Sequence, residues 1–396
     1  LKALLTILVV DVVVFLMFTS GGLIGGPGPR EASRAAAVKL LGTSGRFALV
    51  DPTGAHLQEF RYLGEPNMNV FTGLSSVQGY GALISTIYDN VTGTHPQAGL
   101  DACHLADGTF TQLRLNAIAI ASSQLMTPGT SATAVPHNCE KITRQTSTRR
   151  YFGRLLPVHE IVLNGVKGSA LSASPPSVQL MNASGQAIGV RQHATSTSAH
   201  TAVFDFGHRA LAAGFVVSSP TGVRVANTVV TPWGSLPSYQ LDTDFALAVA
   251  SPAWRLSSTE QQFSVFKATR VNPEDWLTTP TGHITSIRNS SWGDTWVSLT
   301  ARRSTLLKRS EAYLPGWRAT ARNDVTGTTV QLHVERVGLI EEVQVPKGTW
   351  TIHFHYHAPY IELSVTVSAL ADALFLVVIA ALGLTIWRRR KSKVLA

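Results

Sequence analysis

An apolar run from Ser368 to Trp387 stops abruptly at Arg388, Arg389, Arg390, Lys391 and Lys393. A helix of ~20 apolar residues crosses the hydrocarbon core of a bilayer, and basic residues clustered beside it stay on the cytoplasmic side. The chain is therefore expected to carry a membrane helix over 368–387 and a basic cytoplasmic tail over 388–396. A second apolar run, Ala3 to Phe18, gives a first membrane helix over 1–20 and leaves residues 21–367 outside the cytoplasm. It could instead be a signal peptide, with Lys2 as its positive region and Thr19, Ser20 and Gly21 near a cleavage point. Asp11 weighs against that reading, because an ionisable side chain in hydrocarbon is costly and usually faces other helices or water. Asp11 is thus a candidate binding residue on a lipid-phosphate or proton path, with a hydrogen bond to a neighbouring helix as the plain alternative. The chain opens on Leu1, which fits either missing upstream sequence or a non-standard start codon.

With the apolar ends set aside, 396 residues leave room for two or three domains, each able to bury a core. Charged residues make up only 14%, and part of the formal charge of +9 sits in the basic tail. Nucleic acid is not expected as a partner for a region outside the cell; membrane lipid is. The two cysteines, Cys103 and Cys139, fall in the region where oxidation is allowed, so a disulfide is the first expectation. His104 and His137 lie beside them, but the spacing matches no familiar zinc pattern.

Gly25 to Pro29 cannot continue a helix and reads as an exit linker. Helix-forming residues from Arg30 to Leu41, a strand at Arg46 to Val50 and the apolar run Ala117 to Ile120 make 21–145 a small mixed α/β domain. From about Thr146 the chain is rich in Val, Thr and Ser with alternating apolar residues. Ser177 to Leu180, a turn at Asn182 to Gly185, then Ile188 and Val190 read as a hairpin, and short runs of the same kind recur to Tyr356. The expected architecture is a membrane-anchored protein with a helix at each end. Between them lie the α/β domain, a β-sandwich of jelly-roll type over 146–280, and a C-terminal β domain over 281–367.

Asp242-Thr243-Asp244 has the form that holds a divalent metal against a diphosphate, but it equally suits a solvated turn. His353, His355 and His357 alternate with Ile352, Phe354 and Tyr356, so in a strand the three imidazoles share a face. They could bind copper or zinc, or form the polar side of a half-buried strand; no metal site is assigned. Seven of the eight tryptophans fall in the β-rich part, where most pack a core. Trp292 and Trp296 flank the turn residues Gly293-Asp294 and are the candidates for stacking a sugar ring. No nucleotide-binding or hydrolase motif is present, and no catalytic residue is assigned.

Two segments carry a family resemblance: Glu-Ala-Tyr-Leu-Pro-Gly-Trp-Arg at 311–318, and Val-Pro-Lys-Gly-Thr-Trp-Thr-Ile-His-Phe-His-Tyr at 345–356, succeeded by the terminal apolar run. Together they resemble the C-terminal part of the YfhO family of bacterial multi-spanning membrane proteins, which look like type C glycosyltransferases. Gly79-Tyr80 after Asn69, and the stretch Leu113 to Ile120, are similar in order and spacing. Tyr313, Pro315, Gly316, Trp317, Pro346 and Gly348 are expected as fold markers, with the Pro-Gly steps making tight turns. The resemblance implies a polyprenyl-phosphate sugar as donor for a full-length parent in the cell membrane, upstream membrane helices as partners, and an envelope glycan as acceptor. The many helices and the early external carboxylate of such proteins are not in this chain, so it would position the acceptor rather than catalyse. The alternative is a non-enzymatic, membrane-anchored carbohydrate-binding or scaffold protein. No cofactor is expected in the chain itself.

Overall fold

The computed structural model describes residues 34–50, 60, 63, 73–78, 86–92, 100–129, 148–165, 175–198, 200–218, 225, 227–290 and 294–360, with scattered positions from 362 to 383. The first apolar run with Asp11, Gly79-Tyr80, Cys139, Trp292 and the basic tail lie outside the described residues. The chain is predominantly β, arranged in four sheets.

The first sheet is mixed. Arg46–Val50 runs parallel to Leu115–Ala121, which pairs antiparallel with Phe263–Ala268, and that strand with Trp254–Thr259. All seven residues of Leu115–Ala121 are buried, as befits a strand covered on both faces. From Ala117 on the period of two sorts them: Ile118 and Ile120 enter one core with Phe110, Leu113 and Phe266, while Ala117, Ala119 and Ala121 face another with Phe60 and Phe263. Leu115, before a register shift in the pairing with Arg46–Val50, breaks the period and joins the first core. The alanine face lets the helix Arg34–Leu41 pack through Ala37 and Leu41. Residues 254–268, which the sequence grouped with 146–280, join this sheet, where Phe263–Ala268 pairs with Leu115–Ala121.

The second sheet has eight strands in one hydrogen-bonded array built on two long ones, Arg149–Asn164 and Thr201–Ser218. The pairing is continuous through all eight strands. Register shifts between Tyr151 and Leu156 and between Val158 and Glu160 mark bulges, which bend such long strands. Phe152, Phe204, Phe206 and Phe215 fill the core on its inner face. The hairpin anticipated around Asn182 is present, between Ser177–Met181 and Ala187–His193.

Two further sheets stack into a sandwich. One runs Asp275–Leu277, Thr305–Ala312, Ile340–Val345, Val334–Val337 in spatial order, and the other Gly282–Asn289, Thr295–Ala301, Gly348–Tyr356, Trp317–Asn323, Thr329–Leu332. Val297, Leu299, Ala319, Ala321, Ile352 and Phe354 of the second meet Leu307, Val343 and Val345 of the first. The first strand of the sandwich is Asp275–Leu277. It is tied to the first sheet by Arg46, whose Nη2 lies 2.5 Å from Glu311 Oε1, and by Arg114, 3.0 Å from Glu274. Leu339 and Ile340 share the core of the α/β unit.

Among the described residues, no helix is long and apolar enough to cross a membrane. The described positions from 362 to 383 are helical.

Candidate functional site

In the central strand Gly348–Tyr356, Trp350, Ile352 and Phe354 point inward, and Thr351, His353 and His355 outward. Neighbouring strands place their own outward residues beside them. Arg288 is opposite Trp296, Trp296 opposite His353, and Arg318 opposite His355. Residues directly opposite across strands share a face and touch. The His353 ring accordingly lies on Trp296 at 4.7 Å with 5° between planes, and the Arg288 guanidinium sits 4.7 Å over the same indole. These partners arrive from the strands on either side, so a sugar ring would reach a face of Trp296 only by displacing Arg288. Trp292 lies outside the described residues.

Asp294 stands at the entry to Thr295–Ala301, where the Asp294 N–H donates to Ser290 Oγ and the Ser290 N–H donates back to the Asp294 carbonyl. Its Oδ1 accepts from His355 Nδ1 at 2.7 Å and from His353 Nε2 at 3.1 Å. The hydrogen bond from His355, then that from His353, holds the Asp294 carboxyl below the usual carboxylate range. Donor atoms of all three side chains lie within 4.8 Å of one another. His357, expected on this face, is elsewhere. The strand ends at Tyr356, the His357 N–H donates to the Gly316 carbonyl, and its ring lies 3.7 Å from Glu362.

Beneath this face lies a buried ionic cluster without a sequence signature. Arg309 Nη1 donates to Glu341 Oε2 at 3.1 Å, Arg309 Nη2 donates to Thr295 Oγ1 at 3.0 Å, and Arg309 Nε is 3.2 Å from Asp275 Oδ1. The guanidinium stacks against Phe354 and Trp317 at 4.1 and 5.1 Å. Two carboxyls thus share one cation in a dry setting. Burial, only partly offset by Arg309, pushes Asp275 up to about 7 and Glu341 up to about 8. Shifts of this size often mark catalytic groups, but side-chain exposures of 0% for both acids leave no route to substrate.

The Asp-x-Asp is neither a metal site nor a solvated turn. Asp242 is buried, accepts from Arg150 Nε at 2.9 Å and from the Thr228 N–H, and so ties strands of the second sheet together. Thr243 caps the helix Asp244–Val249 by accepting from the Ala246 N–H. Cys103, in the helix Ala102–Asp107, is disulfide-bonded, while Cys139 lies outside the described residues.

The family markers occupy two turns of the sandwich. Pro315-Gly316 leads into Trp317–Asn323, and Gly316 has a φ of 114°, a conformation suited to glycine. A Cβ there would meet the His357 carbonyl oxygen at 2.2 Å, so this turn is pressed against the chain leaving the central strand. Pro346 to Gly348, with Gly348 at φ 138°, opens the central strand itself.

No family model matches the chain, and no curated protein matches it. A solved structure to which it is similar is the crystal structure of a glycoside hydrolase 29 family member from an unknown rumen bacterium, at 9% identity and a TM-score of 0.14. That match covers 78% of this chain and 56% of the other, so the chain spans little more than half of that protein, and a likeness this faint carries no argument.

Proposed function

We propose that this chain is the extracytoplasmic region and terminal anchor of a YfhO-like integral membrane protein of the bacterial cell membrane. The parent is read as a glycosyltransferase that draws on a polyprenyl-phosphate sugar, and this part as the piece that holds an envelope glycan acceptor. The observation that carries the reading is the convergence of both marker turns on one strand: Pro346 to Gly348 begins Gly348–Tyr356, and Gly316 packs on its exit toward the terminal helix. The pattern spread from Glu311 to Tyr356 thus meets at the two ends of one strand. The terminal helix supports a lipid partner. Leu363, Val365, Val367, Leu370, Phe375, Val377 and Val378 are helical and 46–66% exposed, apolar surface of the kind a bilayer covers. The outward face around Arg288 and Arg318 offers cationic hydrogen-bond donors for a glycan, with Trp296 already covered by His353 and Arg288.

The test uses membranes containing the full-length gene product, supplied with a radiolabelled polyprenyl-phosphate hexose and envelope glycan from the source cells. Label is expected to pass to the glycan with the full-length protein and not with residues 1–396 alone, which should nonetheless resist alkaline extraction from membranes. Glycan retention without transfer by the full-length protein would make it a tethered binding module. Release of the chain by alkali, with no retention of glycan, would overturn both readings.

A further inference from the structure

We infer that Asp294, His353 and His355 form a binding site for a divalent transition metal ion, with zinc the natural first probe. Two imidazoles and one carboxylate are a ligand set that such ions favour, with open positions left for water or an anionic oxygen. Donors bound at ~2.0–2.1 Å in a tetrahedron stand about 3.3 Å apart. The present separations are 3.1 and 2.7 Å from Asp294 to the two rings, with all donors within 4.8 Å. Admitting an ion closes the gap between the two ring nitrogens by at most about 1.5 Å, shared between two side chains, and opens the contact from Asp294 to His355 by about 0.6 Å. The ion would take the lone pairs at His353 Nε2 and His355 Nδ1, the positions that now donate to the carboxylate.

Three features make this more than a chance encounter of polar groups. Both histidines sit two residues apart on the central strand of a five-stranded sheet, where the backbone is held from both sides. His353 is additionally fixed by its parallel stack on Trp296. Asp294 is set by its reciprocal hydrogen bonds with Ser290 across the turn. The side chains remain 25–50% exposed, so an ion can enter and keep a solvent-facing position. Arg288 and Arg318 flank the face, which lowers affinity for a cation yet favours an anionic oxygen as the remaining ligand. Nothing in this inference depends on the glycosyltransferase reading.

The experiment is calorimetric titration of the untagged full chain in detergent with Zn²⁺ alone. One ion per chain is expected, with affinity falling at least about tenfold in His355→Ala and in Asp294→Asn and unchanged in His357→Ala. The thermal midpoint of the wild-type chain should rise with zinc, and that rise should vanish in the two ligand variants, whose own midpoints without zinc report that they are folded. Visible absorption after Co²⁺ loading should show tetrahedral nitrogen and oxygen ligation. Absence of saturable one-to-one binding, or equal binding by wild type and both ligand variants, would overturn the inference and leave the cluster a hydrogen-bonded network.

Discussion

Raising the pH should weaken this protein through Asp275 and Glu341. Both carboxyls have folded values above their unfolded ones, near 7 and 8 against 3.8 and 4.5. Each therefore keeps its proton over a window in which the unfolded chain has released it. The stability that this difference provides is fully present below about pH 4 and is lost as the pH climbs through 7 to 8. One proton held over about three units is worth about 4 kcal/mol. The two acids share one guanidinium, so their effects do not add, and about 4 kcal/mol is the expected loss for the pair. Glu341→Gln should flatten the profile twice over, by removing one titrating group and by leaving Arg309 wholly to Asp275. Urea unfolding of the full chain in detergent, monitored by tryptophan fluorescence from pH 4.5 to 8.5, measures this directly. Wild type and Glu341→Gln should lie closest near pH 4.5, separate progressively from there to about pH 8 and run parallel beyond it. Parallel profiles across that range would show that the buried acids do not hold a proton, and the reasoning would fail.

Gly316→Ala places a methyl 2.2 Å from the His357 carbonyl oxygen at a φ of 114° and should cost at least about 2 kcal/mol. A thermal midpoint within a degree of wild type would deny the packing of this turn. Phe354→Ala opens the sandwich core and bares the Arg309 stack, with an expected cost of about 3–5 kcal/mol in the same unfolding assay.

The features legible in the chain itself divide from the rest along a physical line. Alternation in Gly348–Tyr356 and the apolar run in Leu115–Ala121 are local patterns, and both strands formed as anticipated. That His353 and His355 share a face is a consequence of the period of two. The place of Asp294 beside them is not, because it depends on the register between strands nearly 60 residues apart in sequence. The assignment of Trp254–Ala268 to the first sheet is likewise decided by pairing with Leu115–Ala121, which nothing within 254–268 announces. Arg309 is in phase with the inward residue Leu307, and Glu341 with Val343 and Val345, so alternation points both into the core and only their charge argues otherwise. What makes that burial tenable, Arg309 between Asp275, Glu341 and Thr295, depends on the pairing of distant strands. His357 illustrates the reverse case, where a pattern continued in sequence after the strand had stopped.

The contact between Gly316 and His357 sets a mechanical condition on everything above the helix. From Tyr356 to Glu362 the chain has six steps, which reach about 20 Å even when fully extended. On the proposed anchoring, this reach is a tether length: the end of the strand that bears His355 could stand no farther than that from the start of the helix, and a ligand for the face would be met close to the bilayer.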